Sequence, residues 1–152
     1  MIRIALAADH GGFVLKEVLK SYLSGLGDIE IDDLGAFAYD EQDDYPDLAF
    51  LAARSVSLQK TPKAIIVCGS GVGACVAANK VKGVRASVCH DTYSARQGVE
   101  HDDMNVLCLG GRVVGVEVAK EIARTFCRAV FSGEKRHQTR LDKVLAQEKK
   151  GI

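Results

Sequence analysis

Short apolar runs alternate with longer amphipathic segments along the whole chain. The apolar runs are typical of strands and cover residues 2–8, 29–34, 63–68, 84–89 and 105–109. Between them, apolar residues recur every three or four positions, as on one face of a helix. This spacing predicts helices over 13–26, 44–57, 74–78, 91–99, 115–131 and 137–149.

The predicted strands lack strict polar–apolar alternation, and each is followed by a helix. Both features are typical of a parallel sheet that is covered on its two faces. We therefore predict an α/β fold, a three-layer α/β/α Rossmann-like domain with about five parallel strands. The chain has two prolines and no linker-like or low-complexity stretch, so residues 1–152 are predicted to form a single domain.

Composition narrows the range of partners. Hydrophobic residues make up 47% and charged residues 26% of the chain, as in ordinary globular proteins. The 20 basic residues balance the 20 acidic ones, whereas proteins that bind nucleic acids through bulk charge carry a basic excess. No run approaches the ~20 apolar residues of a membrane span, and the first apolar run is too short for a signal peptide. We expect a cytoplasmic protein that binds neither nucleic acid nor membrane.

Polar residues follow several predicted strands directly, at the edge where parallel α/β sheets bind their ligands. These strand-end residues are Asp9 and His10, then Cys68, Gly69 and Ser70, then His90 and Asp91, and finally Gly111 and Arg112. His101 differs because it precedes the fifth strand, at the far end of a helix. If His101 belongs to the same site, it must fold back or serve a neighbouring subunit.

The segment Cys-Gly-Ser-Gly-Val-Gly at 68–73 carries the strongest local signal. Its three glycines let the backbone come close to a ligand, and the helix that begins there turns N–H groups toward a bound anion. A thiol at such a helix start, here Cys68, ionises more readily. A glycine-rich turn with a buried cysteine is also a common structural feature, so both interpretations stay open at this point. The cysteines at 75, 89, 108 and 127 are predicted to be small buried hydrophobes.

The same loop meets the loose dinucleotide-binding pattern through Gly69, Gly71 and Ala74. Asp91 lies about 20 residues later, where a ribose-binding acid would stand. The loop follows the third strand rather than the first, however, and the chain is short for a two-half dinucleotide fold. Nucleotide binding is therefore the weaker interpretation.

A metal site is a further alternative. His10, His90 and His101, with the acids beside them, provide suitable ligand types. No two of these histidines share a helix face at close spacing, and histidine–aspartate pairs in loops are usually only polar surface residues. We expect no metal and no cofactor.

Arg136 and Arg140 lie four residues apart in the predicted C-terminal helix and so share one face. Two guanidinium groups on one face suit a phosphate, which arginine binds through paired hydrogen bonds. The alternative is a basic surface that faces solvent, and the spacing alone does not separate the two.

Taken together, seven segments resemble ribose-5-phosphate isomerase B and its sugar-phosphate relatives, which include the galactose-6-phosphate isomerase subunits. They span nearly the whole chain in the order of the family. Each is weak alone, and their combination is specific. The segments are Asp9-His10-Gly11-Gly12, Asp44-Tyr45-Pro46, 68–73, Ala77-Ala78-Asn79-Lys80, Asn105-Val106-Leu107, Gly111-Arg112-Val113-Val114-Gly115 and Arg136-His137-Gln138-xx-Arg140.

The resemblance implies a metal-free interconversion of aldose and ketose phosphates through an enediolate, with ribose 5-phosphate and ribulose 5-phosphate as the expected pair. It assigns the proton-moving base to Cys68. Some relatives lack this cysteine and use a Glu just after the glycine loop, but this chain has Ala74 at that position. It makes His101 the acid and base that opens the sugar ring. Ser70 would hydrogen-bond the reacting oxygens.

The resemblance also implies how the substrate is held. Asp9, counted with the catalytic residues, and His10 would bind sugar hydroxyls. The phosphate would be bound by Arg112, Arg136 and Arg140. The remaining substrate-binding residues implied are Tyr45, Gly69, Gly71, Val72, Gly73 and Asp102.

Family members are dimers or tetramers whose sites draw on two subunits, which implies a homodimer or homotetramer here. The C-terminal helix, about 137–149, is then expected to pack on a partner subunit. Such sharing would also explain the awkward position of His101.

One departure from the family concerns Asp102, because relatives usually have Asn after the ring-opening histidine. An ionised carboxylate only accepts hydrogen bonds, whereas an amide also donates. Loss of a donor can change substrate choice sharply, so erythrulose 4-phosphate or a six-carbon phosphate such as allose or galactose 6-phosphate stays open as the substrate. A non-catalytic sugar-phosphate-binding protein is the alternative of another class.

Overall fold

A computed structural model describes residues 1–151. Five strands alternate with helices, as the sequence predicts. The strands are Ile2–Ala8 (β1), Ile29–Asp33 (β2), Lys63–Cys68 (β3), Ala86–Val88 (β4) and Val106–Gly110 (β5). The helices are Phe13–Ser24 (α1), Tyr45–Ser57 (α2), Val72–Ala78 (α3), Thr92–Asp102 (α4), Val116–Arg128 (α5) and Lys135–Lys150 (α6).

All five strands are parallel and form one sheet in the order β2-β1-β3-β5-β4. Side chains from α1, α4 and α5 pack with one face of the sheet in a first hydrophobic cluster. A second cluster joins the other face to α2 and α3. The predicted three-layer α/β/α architecture with five parallel strands is therefore confirmed.

The chain changes direction across the sheet between β1 and β3, which lie side by side. In open α/β sheets such a switch point leaves a crevice beyond the carboxyl ends of the strands. The loop after β1 crosses closely over β3, because a Cβ at Gly12 would lie only 2.3 Å from the carbonyl oxygen of Val67. This close approach brings residues 9–12 against the loop at 68–73.

Side chains from elsewhere in the chain bind the backbone at the end of α5 and at the start of β4, two elements that are shorter than periodicity predicts. Lys63 Nζ donates to the carbonyl oxygens of Phe126 and Ala129, at 2.8 Å and 2.6 Å, where α5 ends. At the exposed edge of β4, the Asn79 amide donates to the Ala86 carbonyl oxygen and accepts from the Ala86 N–H. These bonds satisfy backbone groups that would otherwise lengthen the helix or pair with another strand.

The C-terminal helix α6 begins two residues earlier than predicted. Two of its residues, His137 and Leu141, are buried, and α6 contacts α4. The rest of α6 is mostly exposed, including Val144 at 56% and Leu145 at 36%. Among residues 1–151, no helix combines the length and the hydropathy needed to cross a membrane.

Candidate active site

The glycine loop folds around the sulfur of Cys68, the last residue of β3. Gly71 has a φ of 82°, a left-handed conformation that favours glycine. This turn aims the Gly71 N–H at Cys68 Sγ, 3.1 Å away. The Ser70 hydroxyl oxygen accepts the Val72 N–H at 3.2 Å. Cys68 is 5% exposed, so its thiol lies inside the loop with a backbone donor directed at it.

Two side chains lie directly on the glycines of this loop. A Cβ at Gly69 would be 3.2 Å from an Arg112 guanidinium nitrogen, and one at Gly73 would be 2.8 Å from the Tyr45 ring. The backbone N–H of Arg112 also donates to the Gly69 carbonyl oxygen at 3.0 Å. The structure therefore brings the predicted residues Tyr45 and Arg112 to the Cys68 loop, and a side chain at either glycine would require the neighbouring ring or guanidinium to shift.

Asp9 and His10, directly after β1, form a polar cluster on the other side of the crevice. Asp9 is 8% exposed, and burial raises the pKa of its carboxyl group. Asp9 Oδ1 accepts the Gly12 N–H at 3.2 Å. His10 Nδ1 donates to Asp43 Oδ1 at 2.7 Å, and this hydrogen bond raises the pKa of the imidazole.

The three candidate metal-binding histidines are not brought together. Within the described part of the chain, the one group with metal-ligand spacing is Asp9, His10 and Asp43, with one atom of each within 4.8 Å. In this group Nδ1 of His10 and Oδ1 of Asp43 share a hydrogen bond of 2.7 Å, so these two atoms already have a partner. His90 has a different task, since its Nε2 accepts the Gly110 N–H at 2.9 Å.

Asp91, the candidate ribose-binding acid, caps a helix instead. Its Oδ1 accepts the Ser94 N–H at 2.6 Å at the start of α4. N-cap aspartates satisfy a helical N–H that has no partner within the helix. The dinucleotide interpretation thereby loses the acid on which it depended.

A second cluster of predicted site residues lies where α4 meets α6. The rings of His101 and His137 stack with centroids 3.9 Å apart. The Gln97 amide donates to His101 Nδ1 at 3.0 Å, and the Ser132 hydroxyl shares a hydrogen bond of 2.6 Å with His137 Nδ1. His137 is 2% exposed, and burial lowers its pKa.

The two predicted phosphate-binding arginines of α6 flank this histidine stack. Both are exposed, and Arg136 pairs with Glu134 at 3.0 Å. Arg140 is close enough to His137 for its charge to contribute to the lowered pKa. Asp102, next to His101, is exposed and borders a cavity of about 290 Å³ between α4 and β4.

The two clusters lie at opposite edges of the sheet in one chain. Cys68 pairs with Gly110 at the carboxyl end of β5, whereas His101 lies in the last turn of α4, shortly before β5 begins. The rise from Val106 to Gly110 is about 13 Å for a parallel strand. One chain therefore does not bring His101 to Cys68, as the position of His101 in the sequence predicts.

Two residues that were not predicted as site residues also lie in these clusters. Asp43 lies in an irregular loop of mostly polar residues, and no pattern marks it. His137 gives a recognisable signal, because it lies four positions before Leu141 and so on the same face of α6. Both are the buried partners of histidines that the sequence did identify.

The fold and the strand-end cluster define an α/β protein with polar side chains gathered beyond the carboxyl ends of its parallel strands. A family model described as Ribose/Galactose Isomerase matches residues 4–144. The chain belongs to this family, and it is an aldose–ketose isomerase.

Individual relatives match over nearly the whole chain. Ribose-5-phosphate isomerase B of Escherichia coli is 41% identical, and the match covers 99% of both chains. A D-erythrulose-4-phosphate isomerase of Pectobacterium atrosepticum is 39% identical over 88% of this chain and 87% of its own. The solved structure of Clostridium thermocellum ribose-5-phosphate isomerase B superposes with a TM-score of 0.93 at 41% identity, covering 99% of this chain and 100% of that one.

Proposed function

We propose that this enzyme interconverts ribose 5-phosphate and ribulose 5-phosphate through an enediolate, without a metal or cofactor. The hydrogen bond from the Gly71 N–H to Cys68 Sγ carries the proposal, because it holds a potential base inside an array of backbone donors. Isomerisation needs both groups: a base removes a proton from the carbon beside the carbonyl, and donors stabilise the oxygen on which negative charge appears.

In this mechanism Cys68 moves the proton between the two adjacent carbons of the sugar. The Gly71 and Val72 N–H groups already donate to Cys68 and Ser70, so the other N–H groups of 69–73 and the Ser70 hydroxyl stabilise the enediolate oxygens. Asp9 and His10 bind hydroxyls from the opposite side. Preorganised donors of this kind are often the largest single contribution to catalysis. Tyr45 closes the crevice over Gly73.

The complete site draws on two subunits. His101 opens the sugar ring, and Arg136 and Arg140 bind the phosphate, from the partner of the chain that provides Cys68. The separation of the two clusters within one chain supports this arrangement. Apolar side chains beside the glycine loop also support it, since Val72 is 58% and Val76 55% exposed. We extend the proposal to α6, whose exposed face packs on the partner in a homodimer or homotetramer.

Removal of the Arg140 guanidinium tests phosphate binding. Arg140→Ala is expected to raise KM for the sugar phosphate about tenfold or more, since a charge-assisted hydrogen bond contributes roughly 1.5–3 kcal/mol. We expect kcat to change much less, because the phosphate is distant from the reacting carbons. Lys143→Ala, which removes one exposed positive charge from the same helix, is the control. An equal KM for both variants would mean that Arg140 does not bind the phosphate and is only a surface charge that faces solvent.

A substrate panel tests the proposed reaction itself. Four-, five- and six-carbon aldose and ketose phosphates are compared by kcat/KM. The highest value is expected for the ribose 5-phosphate pair. A higher value for erythrulose 4-phosphate would favour the second candidate, which the Pectobacterium relative and the carboxylate at Asp102 support.

The same panel shows whether Asp102 sets the preference. Asp102→Asn restores a donor, and we expect it to raise kcat/KM for ribose 5-phosphate about tenfold relative to erythrulose 4-phosphate, the effect of one additional hydrogen bond. Asp103→Asn makes the same charge change at a neighbour that pairs with Arg85 instead. If both variants leave the ratio at its original value, Asp102 does not determine the substrate.

A further inference from the structure

Asp43 is attached to His10 at two points. Asp43 Oδ1 accepts the backbone N–H of His10 at 3.0 Å and the ring Nδ1–H at 2.7 Å. The side chain of Asp43 is 12% exposed and that of His10 27%. The two residues are 33 positions apart in the chain, so tertiary structure alone brings them together.

The loop that carries Asp43 turns this one residue inward. Residues 37–42 and 44 are exposed, whereas Asp43 is half-buried or more. The Asp43 N–H donates to the Asp40 carbonyl oxygen at 3.1 Å, and the Tyr45 ring, two residues later, lies on Gly73. The loop is therefore fixed on both sides of Asp43.

The carboxylate meets no donor other than His10 in the described chain. Oδ2 of Asp43 is buried and lacks a hydrogen-bond partner among residues 1–151. A buried carboxylate with an unsatisfied oxygen is costly. The carboxylate of Asp43 interacts with the His10 imidazole, and the Asp9 carboxylate is also nearby.

We propose that Asp43 is a positioning residue for His10: it holds the ring with the proton on Nδ1 and directs Nε2 toward the sugar hydroxyls. The proposal rests on the proposed function, in which His10 binds substrate. A carboxylate on one ring nitrogen fixes the tautomer and orientation of the other. Two other charged groups act on His10, the Asp9 carboxylate and the Arg112 guanidinium. The Tyr39 ring meets His10 edge-on with centroids 6.2 Å apart.

Asp43→Asn is the direct test, because it keeps the size of the side chain and removes its charge. We expect KM for ribose 5-phosphate to rise about tenfold with kcat nearly unchanged, the pattern of a lost hydroxyl-binding contact. Asp40→Asn makes the same change on the exposed part of this loop and is expected to match the wild-type enzyme. Equal KM values for Asp43→Asn and the wild type would overturn the proposal.

A double-mutant cycle separates positioning from a general structural effect. In a His10→Gln enzyme there is no imidazole to orient, so adding Asp43→Asn is expected to raise KM no further. Additive increases in KM would mean that Asp43 acts independently of His10, which contradicts the proposal.

Nitrogen NMR of His10 is a test on the wild-type protein, so it depends neither on turnover nor on whether a variant folds. In the wild-type protein, the ¹⁵N shifts of the neutral ring are expected to report a protonated Nδ1. A neutral ring with the proton on Nε2 would overturn the proposal by itself. If the shifts report a protonated Nδ1 but no sugar phosphate is turned over, the proposed function fails while the pairing of His10 with Asp43 stands. If turnover is normal but the proton is on Nε2, the proposed function stands and the role of Asp43 fails.

Discussion

Cys68→Ala is expected to lower kcat for sugar-phosphate isomerisation about a thousandfold, within the range that a positioned base contributes. Cys68, as a thiolate, would be the base that takes the proton, and neither Ala nor the nearby Ser70 hydroxyl can replace it. KM is expected to change little, because the side chains that bind hydroxyls and phosphate are intact. Circular dichroism and thermal unfolding check that the variant keeps its fold.

Cys75 is the matched control, because it is the other thiol near this loop. Its pKa is lowered to about 7 through a hydrogen bond with Cys108, so at neutral pH it ionises more readily than an ordinary cysteine. Its sulfur, however, lies beside the Ala86 carbonyl oxygen at 3.5 Å and the Asn79 amide, on the side of α3 that faces β4. The lowered pKa does not make Cys75 the base, because its sulfur lies outside the glycine loop that surrounds Cys68.

The two thiols therefore give opposite expectations in one assay. Cys75→Ala is expected to retain most of its activity, while Cys68→Ala loses nearly all of it. Near-normal turnover by Cys68→Ala would remove this residue as the base. Loss of activity in Cys75→Ala alone would show that the thiol beside β4 matters more than the one inside the glycine loop.

The fold was predictable because its signals are local. The apolar run at 2–8 and the helical spacing at 13–26 identify β1 and α1 without any tertiary information. The end of α5 was not predictable, because the carbonyl oxygens there accept hydrogen bonds from Lys63, which lies 63 or more positions earlier in the chain. The start of β4 depends in the same way on distant side chains, since Asn79 accepts the N–H of Ala86 and Asn105 accepts the N–H of the residue before it.

The candidate site was predictable where topology alone determines position. Parallel strands place Asp9, Cys68 and Arg112 at one edge, so their proximity follows from the strand assignment. The partner of His10 did not follow, because Asp43 lies in a loop whose path depends on packing. The order of the strands was also beyond the sequence pattern, since periodicity states which residues form strands but not which strands are neighbours.

The proposed sharing of the site between two subunits predicts that two inactive variants restore each other's activity. In a two-fold symmetric dimer each site takes Cys68 from one subunit and His101 from the other. A heterodimer of Cys68→Ala and His101→Ala chains then has one site with both residues intact and one with neither. Random mixing at equal concentrations is expected to recover about a quarter of the wild-type activity, because half of the dimers are mixed and each has one working site.

The measurement uses the two purified variants, dissociated together and reassembled, with ribose 5-phosphate as the substrate because its ring must open. Each variant reassembled alone is the baseline. Cys68→Ala mixed with Asp9→Ala is the contrasting pair: both residues lie at the same edge of one chain, so their heterodimer contains no intact site. If the His101 mixture stays at the baseline although mixed dimers form, His101 and Cys68 do not meet across the subunit boundary. The histidine stack between α4 and α6 would then not face the glycine loop of a partner.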